Sequence, residues 1–476
     1  MHLARIMMSQ GMSTMGADAY DDFIANKSFS DISHGLTPAG LPAALFPFQA
    51  DIVKWACERG RAAIFADTGL GKTAMQLSWS DQIVKITNKP VLILAPLCVS
   101  HQTIREGKLF GIDVHYCRDK SAVVNGINIT NYEMIDHFDL STFSGVVLDE
   151  SSILKAQDGK TRIALIESCR CVPYRLSCTA TPSPNDHMEL GNQAEFLGIM
   201  NMTEMLAMFF THDGSDTSKW RLKGHGKVKF WEWMATWAVV IRKPSDLGYD
   251  DTGYILPGLD MHSHIVKSDV QFGDLFVTPA AGLLERNRAR RDSIKDRVEK
   301  VAEIVNASQE QWVIWCHLNS ESDQIVAAIQ GSDSVSGSDS LDRKESILES
   351  FTSGSLRVLV TKPKIAGYGM NWQHCHNMAF VGLSDSWEQY YQAIRRCYRF
   401  GQKSRVQVHV ISAEAEGSVV ENIRRKEQQS IEMSMQMVDY MRDIMNREVR
   451  KAGQEKTMYA PETSIVIPSW LINRSL

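Results

Sequence analysis

Short apolar runs alternate with longer amphipathic stretches along most of the chain. Four of the runs have the length of buried strands: GRAAIF (60–65), VLILAP (91–96), FSGVVLDE (143–150) and YRLSCTATP (174–182). After the first run, GKTAMQLSWSDQIVK (71–85) places apolar residues at Met75, Leu77, Trp79 and Ile83, which predicts a helix. Buried strands that alternate with helices predict an α/β fold built on parallel sheets.

The loop between the first strand and its helix has the composition of a phosphate-binding loop. Its candidate nucleotide contacts are Ala66, Asp67, Thr68, Gly69, Leu70, Gly71, Lys72 and Thr73. The glycines let backbone N–H groups turn inward, and the helix N-terminus adds positive charge, so the loop can cradle phosphates. Lys72 would reach the β and γ phosphates, and the Thr73 hydroxyl would bind Mg²⁺. Ala66 replaces the usual first glycine, and a glycine-rich turn with an incidental lysine is the alternative.

Two carboxylates end a second strand. Asp149 and Glu150 follow GVVL, and parallel strands deliver their carboxyl ends to the edge of the sheet where the phosphate loop lies. Asp149 would hold Mg²⁺ through its water shell, and Glu150 would orient or deprotonate the attacking water. The combination predicts an ATP-hydrolysing enzyme that uses ATP and Mg²⁺.

Composition narrows the class of protein. The 476 residues suit two or three domains, and 44% hydrophobic with 22% charged residues is ordinary for a globular protein. No apolar run is long enough to span a membrane, the N-terminus lacks a signal-peptide pattern, and the nine cysteines are scattered. We therefore expect an intracellular protein with reduced thiols. The net charge of −5 does not by itself indicate nucleic acid, although a motor needs only a locally basic track.

An ordered set of segments resembles the superfamily 2 helicases. The first-domain segments are LFPFQ (45–49), ADTGLGKT (66–73), LAPLCVSHQ (94–102), ITNYEMI (129–135), LDESSILK (148–155) and CTATP (178–182). The second-domain segments are WVIWCHLN (312–319), VLVTKPKIAGYGMNW (358–372) and QAIRRCYRFGQ (392–402). GYGMNW and RCYRFGQ are similar to the Swi/Snf-type DNA translocases, and the compact build resembles helicases of bacterial viruses. A viral protein would act in the cytoplasm of its bacterial host.

The resemblance implies two RecA-like domains with ATP in the cleft between them. It implies that Gln49 reads the adenine edge and that Gly369 contributes to the nucleotide site. Arg396 and Arg399 would approach the γ phosphate, with Arg399 as the arginine finger. Thr361 would contact nucleic acid. The alternative for RRCYR is a solvated basic helix face.

Two positions depart from the family pattern. Arg395 stands where many relatives carry Asp or an aliphatic residue. Ser152 stands where helicases often carry His or Asp, which leaves open how the acid-bearing turn communicates with CTATP.

The motifs also predict domain boundaries. We expect an N-terminal arm at 1–40, a first motor domain at 41–185, a helical insertion at 186–265, a second motor domain at 266–445 and a tail at 446–476. The tail ends in apolar residues and could bind a protein partner.

The insertion carries a basic and aromatic stretch from Lys219 to Trp233. Its basic residues are the candidate nucleic-acid contacts: Lys219, Arg221, Lys223, Lys227 and Lys229. The spacing of Trp233 and Trp237 favours core packing of these tryptophans.

Three functions remain open at this stage. The first is an ATP-driven translocase that tracks duplex or branched DNA without reading its sequence. The second is a helicase that separates strands of DNA or RNA. The third is the motor subunit of a restriction or defence complex.

Overall fold

The computed structural model describes the chain in segments. They are residues 35–96, 99–155, 159–183, 186–213, 216–224, 226–266, 291, 293–366, 370–384, 386–414 and 417–453. Most of the predicted N-terminal arm, Gly369 and the tail after Gly453 lie outside the described residues.

A seven-stranded parallel sheet forms the first half of the protein, in the order β3-β4-β2-β5-β6-β1-β9. Its strands are β1 (Arg61–Ala66), β2 (Val91–Ala95), β3 (Val114–Tyr116), β4 (Ile127–Asn131), β5 (Gly145–Asp149), β6 (Tyr174–Thr179) and β9 (Ala238–Ile241). Its helices are α1 (Pro47–Arg59), α2 (Lys72–Thr87), α3 (Ser100–Leu109), α4 (Lys160–Cys169), α5 (Glu189–Leu197), α6 (Met202–Phe209) and α7 (Lys227–Ala235). The central strands are buried along their whole length, because helices cover both faces of a parallel sheet.

A six-stranded parallel sheet forms the second half, in the order β10-β15-β14-β11-β13-β12. Its strands are β10 (Leu259–Val266), β11 (Trp312–Trp315), β12 (Ser332–Val335), β13 (Val358–Thr361), β14 (Asn377–Val381) and β15 (Val406–Ala413). Its helices are α8 (Ile294–Asn306), α9 (Asn319–Ala328), α10 (Leu341–Thr352), α11 (Pro363–Ala366), α12 (Trp387–Ile394) and α13 (Gly417–Gly453). The predicted α/β fold with two parallel sheets is confirmed.

The predicted helical insertion at 186–265 does not form a region of its own between the two sheets. It holds the helices α5, α6 and α7, and also an antiparallel hairpin of β7 (Phe210–Asp213) and β8 (Asp216–Leu222). The segment 186–265 is not a separate unit, because β9 pairs with β1 in the first sheet and β10 pairs with β15 in the second. Trp231, Trp233 and Trp237 are buried in the first core, as the spacing favoured.

Helix α13 crosses the predicted boundary between residues 445 and 446 and joins the two halves. Near its start, Val419 and Ile423 belong to the core of the second sheet. Farther along, Met441 and Met445 belong to the core of the first sheet. The second motor domain therefore does not end as a unit at residue 445, since the same helix continues into the first domain. No helix among the described residues is both long and apolar enough to cross a membrane.

Candidate ATP site between the two halves

The phosphate loop leaves the carboxyl end of β1 and enters α2. Gly69 and Gly71 adopt φ of 91° and 79°, a left-handed conformation that glycine tolerates best. A Cβ atom on Gly71 would lie 2.3 Å from Gln49 Nε2, so a larger residue there would also displace the Gln49 side chain. Helix α2 begins at Lys72, and Thr73 lies half-buried in its first turn. The geometry leaves the helix N-terminus open toward the loop.

Lys72 and Gln49 both support this loop. Lys72 Nζ donates to the carbonyl of Ala66 at 2.8 Å. Burial lowers the pKa of Lys72, while Glu150, Asp67 and Asp149 oppose that shift. Gln49 Nε2 donates to the carbonyl of Leu70 at 2.9 Å. Gln49 thus braces the loop from α1, and its recognition of adenine stays a prediction.

Asp149 and Glu150 lie at the end of β5, beside the lysine. The pKa of Asp149 is raised to about 7, because burial and the Glu150 charge together outweigh the lowering effects of Lys72 and Gln76. Glu150 has φ of 57°, which is unusual for a residue with a side chain. Its buried Oε2 atom has no hydrogen-bond partner among the described residues. A strained backbone and an unpaired buried oxygen are features of functional sites.

A polar network that no sequence motif predicts lies behind Asp149 and Glu150. The Ser177 hydroxyl, on β6, donates to Ser151 Oγ at 2.8 Å and also contacts Gln193 Oε1. Gln193 Nε2 donates to the carbonyl of Ser151 at 2.9 Å. Ser151, rather than Ser152, therefore connects the acid-bearing turn to the strand that leads into CTATP. Single serines and glutamines give no signal in sequence that would reveal such a network.

Arginines after α12 approach the site from the second half. Arg399 Nη1 donates to the carbonyl of Met370 at 3.3 Å. The pKa of Arg399 is lowered to about 10, because burial and the nearby Arg396 outweigh the opposing effect of Glu106 of the first half. The role of Arg399 as an arginine finger stays a prediction.

Arg396 is held within the second half. It is 3% exposed, and its guanidinium donates to the carbonyl of Met370 at 3.1 Å and to Gln392 Oε1 at 2.9 Å. Its approach to the γ phosphate stays a prediction. Its neighbour Arg395 crosses the cleft instead, with Nη2 3.1 Å from Asp67 Oδ2 in the phosphate loop. The sequence could not decide between adjacent arginines, because both follow the end of α12 and their directions depend on how the chain turns there.

A cleft of 1120 Å³ lies beside the acids and between the two halves. Its lining includes cations from both sides: Arg105, Arg118, Lys155, Lys344 and Lys364. Ion pairs cross it, since Lys155 contacts Glu388 and His101 Nε2 lies 3.1 Å from Glu345 Oε1. These cations are isolated along the chain and meet only in the fold, so no sequence motif predicts them.

The basic hairpin carries the first of the predicted nucleic-acid contacts. Lys219 and Arg221 lie on β8, and Arg221 is exposed. On the same hairpin the ring of Trp220 lies 3.7 Å from that of His212. Arg221 is thus available for a phosphate contact.

The remaining basic residues of that stretch already have protein partners. Lys223 Nζ donates to carbonyls at the end of α6, the nearest at 2.8 Å. Lys227 lies 4.7 Å from the ring centroid of Tyr440, and Lys229 pairs with Glu232 at 3.1 Å. These contacts tie the three lysines to the protein, so their role in binding nucleic acid has less support than that of Arg221.

Thr361 is not placed to contact nucleic acid. Its side chain is fully buried and donates to the carbonyl of Val335 at 3.2 Å. The reason is its position at the end of β13, which pairs with strands on both sides.

Comparison with known proteins identifies the class. Residues 296–401 match the family described as the helicase conserved C-terminal domain. The structure is similar to S. cerevisiae Dbp5 bound to RNA and ADP BeF3, with 12% identity, a TM-score of 0.52 and coverage of 86% of this chain and 98% of that chain. It is also similar to the Sulfolobus solfataricus SWI2/SNF2 ATPase core in complex with dsDNA, with 18% identity, a TM-score of 0.41 and coverage of 88% and 98%. No curated protein sequence matches the chain.

The family match covers a helicase-type C-terminal domain, and the structural similarity concerns the fold. The chain contains a helicase conserved C-terminal domain and has the two RecA-like sheets of such cores. It is therefore an ATP-hydrolysing enzyme of the helicase type.

Proposed function

We propose that the protein is an ATP-dependent translocase that moves along duplex or branched DNA. The observation that carries the proposal is the docking of the second half on the phosphate loop that contains Lys72. Arg395 pairs with Asp67 of the loop at 3.1 Å, and a Cβ atom on Gly69 would lie 2.8 Å from the backbone nitrogen of Phe400. A site completed across two domains changes when they close, so that hydrolysis can drive their relative movement.

The residues present fit ATP with Mg²⁺. Lys72 would hold the β and γ phosphates, and Thr73 with Asp149 would hold Mg²⁺, which neutralises phosphate charge when bound. Glu150 would take the proton of the attacking water, because its buried Oε2 atom lacks a partner among the described residues. Arg399 would stabilise the charge that develops on the transferred phosphoryl group.

The cleft cations supply the proposed track. Arg105 and Arg118 belong to the first half, and Lys344 and Lys364 to the second. If both halves bind phosphates of one strand, closure around ATP shortens the distance between the two phosphate-binding sites. Hydrolysis of ATP then lets that distance increase again. Contacts to phosphates carry no sequence information, so binding should depend on salt and not on base sequence.

Strand separation is the second candidate, and one feature favours it. The hairpin of β7 and β8 carries an aromatic pair, Trp220 with His212, beside the exposed Arg221, although Trp220 is partly buried against the first core. A hairpin that carries a flat ring could divide a duplex by stacking on the last base pair.

ATP hydrolysis measured with duplex, single-stranded and forked DNA and with RNA separates the candidates. We expect duplex DNA to stimulate hydrolysis most. A triplex-displacement assay then tests translocation, with a non-hydrolysable ATP analogue as the control. A third strand that stays bound in ATP, while a fork is unwound efficiently, would contradict the translocase proposal and favour the helicase.

The track is tested by removing one cation from each half. The variant Arg105→Gln/Lys364→Gln should weaken DNA binding and lower the salt slope by about 2, close to one for each lost phosphate contact. Basal hydrolysis should stay unchanged. Lys295→Gln is the matched control, since Lys295 is exposed on α8 and is not part of the cleft lining. An unchanged salt slope in the double variant would exclude this cleft as the track.

A further inference from the structure

The phosphate loop contains an acidic side chain where phosphates are expected. Asp67 directly follows Ala66, and its charge is close enough to Lys72 to influence the pKa of that lysine. A carboxylate repels phosphates at short range unless a cation cancels its charge. Asp67 would therefore oppose the binding that the rest of the loop favours.

Each oxygen of Asp67 has a partner in this structure. Oδ1 accepts from the backbone N–H of Thr68 and from the Tyr391 hydroxyl, both at 2.6 Å. Oδ2 accepts from Arg395 Nη2 at 3.1 Å. Tyr391 and Arg395 belong to the second half, so two of the three partners cross the cleft.

The ion pair between Arg395 and Asp67 is largely buried and packs against aromatic rings. The side chains of Arg395 and Asp67 are only 16% and 17% exposed. The Arg395 guanidinium lies 5.1 Å from the ring centroid of Tyr391 and 5.5 Å from that of Tyr398. Burial alone would raise the pKa of Asp67, but Arg395, Tyr391, Thr68 and Lys72 outweigh it and keep the carboxyl ionised.

The second half also touches the loop directly. A Cβ atom on Gly69 would lie 2.8 Å from the backbone nitrogen of Phe400. Only a docked second half can make this contact, and the same docking brings Arg395 to Asp67.

We propose that Arg395 is a positioning residue that neutralises Asp67, so that the affinity of the loop for ATP depends on docking of the second half. The inference rests on the ATP site proposed above. With the halves apart, the bare carboxylate faces the phosphates and ATP binds weakly. With the halves docked, the ion pair with Arg395 and the hydrogen bond from Tyr391 cancel that repulsion. The pair therefore links nucleotide affinity to the relative position of the two halves.

A competing role for Arg395 is direct contact with the nucleotide. Its guanidinium would then leave Asp67 and bind a phosphate. The two roles differ in their dependence on Asp67, because a neutralising cation is needed only while the carboxylate is present. A double variant therefore separates them.

The test measures binding of a fluorescent ATP analogue, together with KM and kcat. Arg395→Gln should raise Kd and KM about ten- to hundredfold, the scale of one unscreened charge a few ångströms from the phosphates, with a smaller change in kcat. Arg395→Lys should retain most of the affinity. Asp67→Asn should bind ATP as tightly as wild type or tighter, and Asp67→Asn/Arg395→Gln should restore the affinity lost in Arg395→Gln.

Arg405→Gln is the matched control, because Arg405 forms an ion pair with Asp260 within the second half, at 2.6 Å. Normal affinity in Arg395→Gln would overturn the inference while leaving the ATP site intact. A double variant no better than Arg395→Gln would overturn it in favour of direct contact. Wild-type protein that binds no nucleotide would overturn the ATP site and this inference with it.

Discussion

The long helix α13 should hold the two halves together, so that weakening its packing on the first half should uncouple them. Its Met441 side chain is fully buried in the first core, whereas Met435 on the same helix is 50% exposed. Ion pairs and hydrogen bonds reinforce the docking: Glu448 pairs with Arg59 at 2.9 Å, and Arg450 donates to the carbonyl of Gly248 at 2.7 Å. We expect Met441→Ala to loosen the second part of the helix from the first half.

The size of the effect follows from the burial. Truncation of a fully buried methionine costs about 2–5 kcal/mol, because apolar contact is lost and a cavity remains. For a unit of 150–250 residues each kcal/mol lowers the unfolding midpoint by about 2–4 °C. Met441→Ala should therefore lower the midpoint of the first half by about 4–20 °C. Met435→Ala removes an equal side chain from the exposed face and should lower it by less than about 2 °C.

Calorimetry and hydrogen exchange measure the two consequences. Calorimetry of Met441→Ala should show a separate, earlier transition for the first half. Hydrogen exchange should show faster exchange of the amides from Met437 to Val449, because local undocking exposes them. Equal unfolding midpoints for Met441→Ala and Met435→Ala, with unchanged amide hydrogen exchange, would refute this role of α13.

Three further predictions concern the ATP site. Lys72→Ala should abolish ATP turnover without unfolding the protein, and retained nucleic-acid-stimulated hydrolysis would contradict the phosphate-loop assignment. Glu150→Gln should bind ATP but hydrolyse it very slowly, since the change removes only the base; loss of binding in a nucleotide titration would show that Glu150 supports the loop instead. Arg399→Ala should leave ATP affinity nearly unchanged and lower kcat by about 10³–10⁵, and activity within about tenfold of wild type would exclude an arginine finger.

The features that were predictable from sequence are those whose chemistry lies within one short segment. The phosphate loop joins a buried strand to a helix within eight residues, so its glycines, its lysine and its helix N-terminus are fixed together by local geometry. The same holds for Asp149 and Glu150, which end a buried strand. Local patterns predicted a fold built on parallel sheets, whereas the division into two RecA-like domains came from the family resemblance.

Other predictions were wrong where the placement of a strand, helix or side chain depends on contacts with distant parts of the chain. The run AVVI was not assigned to the first sheet, yet β9 pairs there with β1. The tail boundary at 445 fell inside α13, because the buried methionines that extend the helix pack on a core formed far earlier in the chain. Thr361 is buried by strands on both sides, which its motif alone does not reveal.

By itself the sequence determined the predicted kind of chemistry, since the candidate residues for binding phosphate and activating water follow from local motifs on strands and turns. Only the tertiary structure decided which groups meet across the cleft. Arg395 and not Arg396 reaches Asp67, and Ser151 connects the acids to β6. The physical reason is that these contacts depend on the directions and distances between elements that are separated along the chain, by 26 residues for Ser151 and Ser177 and by 328 for Asp67 and Arg395. The type of a side chain does not encode either quantity.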